Sequence, residues 1–229
     1  MRRRRDRLVI MTRWPRAGAV MTRLISALGP AGAAWLHGRL TEDCLAQART
    51  FATATGSELE VRCDGAPVDR FHDWLGPDVR LRPQGAGDLG RRLAAACDQA
   101  LATGDGPASG DGRTGILIIG VDCPSLDAIA LAEAQRALAA TDLGLGPALD
   151  GGYYLIGVTR AGGELFRVMP GGTPTVFGAT TDRAWRLGLD VRLLPPRPDI
   201  DRPEDLVLLD DRMMAALSRT TPWTTATTS

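Results

Sequence analysis

The side chains best suited to chemistry in this chain are carboxylates that stand at the ends of apolar runs. Asp122 follows Ile116-Leu117-Ile118-Ile119-Gly120-Val121 and precedes Cys123-Pro124. A carboxylate whose chain neighbours belong in a core needs a partner. A divalent cation, Mg2+ or Mn2+, bridging Asp122 to diphosphate oxygens would be one, because Mg2+ favours one or two carboxylates plus substrate phosphates. A capping role is the alternative. In the late segment Asp199-Ile200-Asp201-Arg202-Pro203-Glu204-Asp205-Leu206, Asp201 stands just before a predicted helix and reads either as an N-cap or as a second metal ligand. In Gly146-Pro147-Ala148-Leu149-Asp150-Gly151-Gly152-Tyr153-Tyr154, Asp150 could orient or deprotonate an acceptor hydroxyl, with Gly151, Gly152 and Tyr153 shaping the acceptor pocket. The same letters make a good hairpin turn.

Two further loops could hold a nucleotide. In Trp14-Pro15-Arg16-Ala17-Gly18-Ala19-Val20-Met21-Thr22-Arg23, Gly18 permits close backbone approach, and Arg16 and Arg23 could pair with phosphate oxygens. A surface turn with solvated arginines fits equally. In Pro83-Gln84-Gly85-Ala86-Gly87-Asp88, Gln84 could read a base edge and Gly87 admit a nucleotide, while Asp88 doubles as a helix N-cap. All 27 basic side chains are arginine, so Schiff-base and Walker-type lysine chemistry is excluded. Cys123 is a poor nucleophile candidate, because His37 and His72 are expected on distant helices.

These loops must be positioned by alternating strands and helices. Strands are predicted over residues 8–11, 59–63, 79–82, 116–121, 143–148, 153–158 and 191–194. Helices are predicted over 30–55, 68–75, 89–103, 127–140 and 175–187, with another starting near Pro203. The pattern describes one α/β domain over residues 7–217, a three-layer sandwich with a mostly parallel central sheet. A basic tail (1–6) precedes it and a disordered tail (218–229) follows. Net charge is zero, which gives no bulk reason to expect nucleic acid or membrane. The four cysteines form no CxxC pair, and the apolar run after Arg2–Arg5 is too short for export, so a cytoplasmic protein is expected.

Taken together, Pro15-x-x-Gly18-x-Val20-x-Thr22-Arg23, Gln84-x-x-Gly87-Asp88-Leu89-Gly90, Gly120-x-Asp122-Cys123-Pro124, Gly146-Pro147-x-x-Asp150-Gly151-Gly152-Tyr153-Tyr154 and Asp199-x-Asp201-x-Pro203-Glu204-Asp205-Leu206 occur in order. The chain resembles the bacterial glycosyltransferase-like family labelled radical-SAM/selenodomain-associated transferase 1, or arsenosugar-biosynthesis glycosyltransferase. That family looks like a compact relative of the GT-A nucleotide-diphospho-sugar transferases, distantly similar to the guanylyltransferases of molybdenum-cofactor and coenzyme F420 synthesis. The resemblance implies a divalent metal on Asp122 and Asp201, a base site at the Gln84 segment and phosphates at the first loop. Where the family has Lys before Thr22-Arg23, this chain has Met21, which leaves Arg16 or Arg23 for the phosphates. Where the family has Trp-x-Thr, it has Gly171-Gly172-Thr173, and Thr173 is a further acceptor candidate. The expected activity is transfer of a sugar from a nucleotide-diphospho-sugar to a small-molecule acceptor. Nucleotidyl transfer from a nucleoside triphosphate to a phosphorylated small molecule is the alternative, and a catalytically reduced nucleotide-binding protein is a third. The oligomeric state is left open.

Overall fold

The computed structural model describes residues 6–102, 115–159, 162–166 and 176–219. The expectations for residues 1–5 and 220–229, and for Thr173, lie outside the described residues. Among the described residues seven strands form one sheet: β1 (Arg7–Arg13), β2 (Glu58–Asp64), β3 (Arg80–Pro83), β4 (Ile116–Ile119), β5 (Leu143–Pro147), β6 (Tyr153–Val158) and β7 (Val191–Leu193). Their order is β3-β2-β1-β4-β6-β5-β7. β6 runs antiparallel to both its neighbours, and every other pairing is parallel. The α-helices among the described residues are α1 (Ile25–Thr55), α2 (Val68–Leu75), α3 (Leu89–Ala102), α4 (Ala128–Leu138), α5 (Gly162–Phe166), α6 (Val176–Arg186) and α7 (Asp211–Leu217).

Period-two alternation explains why the central strands read as unbroken apolar runs. Leu8, Ile10, Leu117 and Ile119 face one core, shared with Phe51 of α1, Phe71 of α2 and Leu131 of α4. Val9, Ile116 and Ile118 face the other, shared with Ala96 and Cys97 of α3, Leu165 of α5 and Ala184 of α6. Both faces are covered, so neither can be polar. The three-layer α/β sandwich with a mostly parallel sheet is therefore as expected.

Three details matter for the cleft. α1 includes Ile25–Leu28, but Gly29 has φ 68 and breaks the helical path, so the continuous helix starts at Pro30. Only glycine adopts that backbone without strain, and Pro suits the first helical position after it. The expected helix near Pro203 is a 3-10 turn over Pro203–Leu208, after which Asp210 caps a separate α7 by accepting from the Met213 N–H. A third apolar cluster, with Leu24, Leu36, Leu40, Ile200 and Leu209 at its centre, packs this late segment against α1. It brings Asp201 to the end of β4.

Candidate functional site

After β3 the chain crosses back past β1 to begin β4, so the strand order reverses between β1 and β4. Open α/β sheets bind ligands at such a switch point, beyond the carboxyl ends of the strands. A cleft of about 710 Å³ lies there, lined by Met11–Arg13 at the end of β1 and Ile118–Asp122 at the end of β4. Its size suits a nucleotide-scale ligand.

One wall is already satisfied by internal hydrogen bonds. Gln84 is buried, and its amide donates to the carbonyls of Thr12 (2.7 Å) and Arg62 (3.2 Å). Its Oε1 accepts from Arg92 (3.0 Å). Both of its donors are thus used inside the protein, so Gln84 fixes the wall instead of offering free donors to a base. Arg92 also binds Asp64 at 2.8 Å, and Arg13 lies 3.4 Å from the same carboxylate. The Arg92 hydrogen bond is the main reason that the Asp64 carboxyl is held below its ordinary range. His37, on α1, lines the cleft, whereas Cys123 does not. Its Nε2 lies 3.0 Å from the Arg13 carbonyl and 3.3 Å from Thr12 Oγ1. Burial pushes its imidazole down to about 4, so it is neutral near pH 7 and its Nε2–H donates to that carbonyl.

The opposite wall is acidic. A side pocket of about 290 Å³ is lined by Asp122, Asp150, Asp199 and Asp201 together with Arg23, Arg202 and Tyr153. The backbone carbonyl of Asp122 accepts from the Ile200 N–H at 2.8 Å, which clamps the late segment to the end of β4. Burial raises the Asp122 carboxyl above its ordinary range, and the negative charges of Asp150 and Asp201 add to that against an opposing backbone hydrogen bond. Asp199, absent from the predicted site, is pushed up to about 7, mainly by burial and then by Asp150 and Asp122. Among the described residues, no basic side chain pairs with Asp122, Asp150 or Asp199. Asp150 sits in a turn where its Oδ1 accepts from the Gly152 N–H at 2.8 Å. Gly151 takes φ 93 there, and a Cβ on Gly152 would come within 3.0 Å of that oxygen. The hairpin and the site are therefore the same structure: β5 and β6 pair through this turn.

Asp201 is not an N-cap. The cap position is Arg202, and Asp205 in the first turn reaches back to accept from the N–H groups of Asp201 (3.1 Å) and Arg202 (2.7 Å). The Asp201 carboxylate is instead paired with Arg23 across the mouth of the cleft. Met21, two residues before Arg23, holds a left-handed φ of 44, an uncommon conformation for a side chain of this kind.

The other predicted positions divide. Arg23 and Gly87 line the cleft, but Arg16, Gly18 and Asp88 are exposed and do not. Asp88 is occupied as the cap of α3, where its Oδ1 accepts from the Arg91 N–H at 2.9 Å. Arg16 and Gly18 belong to the outer arc of the loop, whose inner end, Ala19–Arg23, faces the cleft. Tyr153 lines both pockets and is hydrogen-bonded to Thr180, while burial pushes its phenol up. Tyr154 is buried and donates to the Pro195 carbonyl at 3.0 Å. Its ring leaves no room for a Cβ on Gly146, which would approach to 2.4 Å. Cys123 faces a separate cavity shared with Cys44, and burial raises its thiol.

The residues suit a cation that shares its coordination with a ligand. Among the described residues no three His, Cys, Asp or Glu side chains enclose a metal by themselves. Asp122 and Asp201 would supply two oxygens, phosphates and water the remainder, the pattern favoured by Mg2+. No helix among the described residues is long and apolar enough to cross a membrane.

Solved structures share this fold. A candidate nucleotide-diphospho-sugar transferase from Desulfovibrio desulfuricans G20 is 27% identical, with a TM-score of 0.79 over 95% of this chain and 92% of that one. CMP:2-keto-3-deoxy-manno-octonic acid synthetase in complex with CTP is 12% identical, with a TM-score of 0.55 over 93% and 99%. Rv0371c of Mycobacterium tuberculosis H37Rv in complex with manganese is 18% identical, with a TM-score of 0.51 over 89% and 97%. The last two are likenesses of fold. No curated protein matches the chain. A family model matches residues 46–173, more than half of the chain and the span that carries Asp122 and Asp150, and the chain therefore belongs to the family described as "Uncharacterized protein conserved in bacteria (DUF2064)".

Proposed function

We propose that the cleft is the active site of a metal-dependent glycosyltransferase that takes a nucleotide-diphospho-sugar donor and a small-molecule acceptor. The observation that carries this reading is the convergence of Asp122, Asp150, Asp199 and Asp201 beside Arg23 at the switch point of the sheet. Carboxylates so placed repel one another and call for a cation, and a diphosphate needs both a cation and an arginine. Mg2+ or Mn2+ would be held by Asp122 and Asp201 and would supply charge neutralisation for the leaving diphosphate. Arg23 binds the phosphate oxygens, and the wall built on Gln84, Arg92 and Gly87 borders the nucleoside. Asp150, exposed in its turn beside Tyr153, orients the acceptor hydroxyl and takes its proton. The bond from the sugar's anomeric carbon to the diphosphate oxygen breaks as the acceptor oxygen bonds to that carbon. The nucleoside diphosphate leaves.

The decisive measurement offers the protein separate pools of nucleotide sugars and nucleoside triphosphates with Mn2+ and a panel of sugar-accepting small molecules. Release of nucleoside diphosphate from the sugar pool is expected. Pyrophosphate release from the triphosphate pool would replace this reading with nucleotidyl transfer, and metal-dependent binding without turnover would reduce it to a nucleotide-binding role.

A further inference from the structure

Arg23 and Asp201 were nominated for opposite partners, a phosphate and a metal, yet they bind each other. The two ends of this pair differ in freedom. Asp201 is held by the Asp205 carboxylate on its N–H and by the neighbouring Ile200 N–H bond to the Asp122 carbonyl (2.8 Å). Arg23 is exposed, and the buried Leu24 fixes only the backbone beside it. Its long side chain can leave without disturbing the core. The pairing is also lopsided, because Arg202 Nε lies 3.9 Å from the same Asp201 Oδ2. One carboxylate oxygen thus lies near two guanidinium groups, while Asp122, Asp150 and Asp199 form no ion pair among the described residues.

A cation held between Asp122 and Asp201 would share Asp201 with Arg23, and the two positive charges would repel at close range. A diphosphate changes the balance, since its oxygens offer the guanidinium a bidentate partner. We infer that Arg23 competes with the divalent cation for Asp201, and that a diphosphate relieves this competition by drawing the guanidinium onto its own oxygens. Cation and nucleotide are then bound as a mutually dependent pair, and each raises the other's affinity by the same factor. The inference rests on the metal site proposed above, and its test separates the two.

The readout is Mn2+ binding, followed as loss of the free-ion paramagnetic resonance signal, with no turnover required. Removing the competing charge with Arg23→Gln should tighten binding of Mn2+ alone by about fivefold or more, the lower end of ordinary site coupling. Arg23→Lys keeps the charge and should bind Mn2+ as weakly as the wild type. UDP, GDP, CDP and ADP are each added in turn. The one that binds should tighten Mn2+ by about tenfold in the wild type and by clearly less in Arg23→Gln. Equal Mn2+ affinity in Arg23→Gln and wild type, with Asp122→Asn abolishing binding, would overturn the competition and leave the metal site standing. Unchanged binding in Asp122→Asn would remove the metal site itself, and the inference with it. Melting curves for each variant confirm that folded protein is compared.

Discussion

The two walls of the cleft are built on opposite electrostatic plans. On the β1–β3 side, Gln84, His37, Thr12, Arg92 and Asp64 satisfy one another, and the wall is complete without a ligand. On the β4–β6 side, four carboxylates face two arginines, both of which lie on Asp201. A self-satisfied wall contributes shape and stability. An under-compensated one is destabilising on its own and gains from binding a cation. The difference teaches where to look for chemistry: the polar groups whose partners are missing, more than those with the most partners.

Three substitutions break or sharpen this contrast. The largest effect is expected at Asp122→Asn, which should lower turnover about a hundredfold or more, the scale for deleting one preorganised electrostatic group. It should also raise the melting temperature without metal, because it removes a half-buried charge next to Asp150 and Asp201, and abolish the melting shift on adding Mn2+. A wild-type metal shift in the variant would place the cation elsewhere. On the other wall the currency is stability and pH. Burial holds His37 in the folded state down at about 4 against an ordinary 6.5, so the unfolded chain binds more protons between those values. Stability from this group is full above pH 6.5 and is lost as pH falls toward 4, by on the order of 3 kcal/mol. Denaturant melts of wild type and His37→Gln across that window should differ by this slope, and parallel curves would show that His37 is not the titrating group. Smallest is Gln84→Leu, expected to cost about 2 kcal/mol by leaving the Thr12 and Arg62 carbonyls without their side-chain donor. Chemical denaturation measures it, and a loss confined to activity with stability intact would make Gln84 a ligand contact after all.

What the sequence revealed follows from how local each signal is. The runs at Leu8–Met11 and Ile116–Val121 announced central strands because both faces are buried, and Asp122 stood out as a charge at the end of one. Asp150 and its glycines were legible as a turn, since an Asp-Gly-Gly segment has little else to do. Pairings between distant segments were not legible. Arg23 and Asp201 are 178 positions apart, and neither letter carries a mark of the other. His37 was hidden in a long helical pattern, where no spacing rule tells which residue passes the end of β1. Asp199 was passed over for Asp201 because its shift comes from burial among other carboxylates, a property of the assembled cleft. Asp88 carried two readings because a cap and a ligand contact use the same residue type, and its cap reading is the one seen as a hydrogen bond.

The bond from Ile200 to the Asp122 carbonyl has a consequence for how the protein is made. Synthesis proceeds from the N-terminus, so the strands and helices through β6 leave the ribosome well before residue 201 does. Until that late segment docks, Asp122 and Asp150 stand on a nearly finished sheet with Arg23 already made and Asp201, its partner, still missing. The acidic wall is thus completed only when the late segment arrives, and a chain cut short after β7 would lack Asp199 and Asp201.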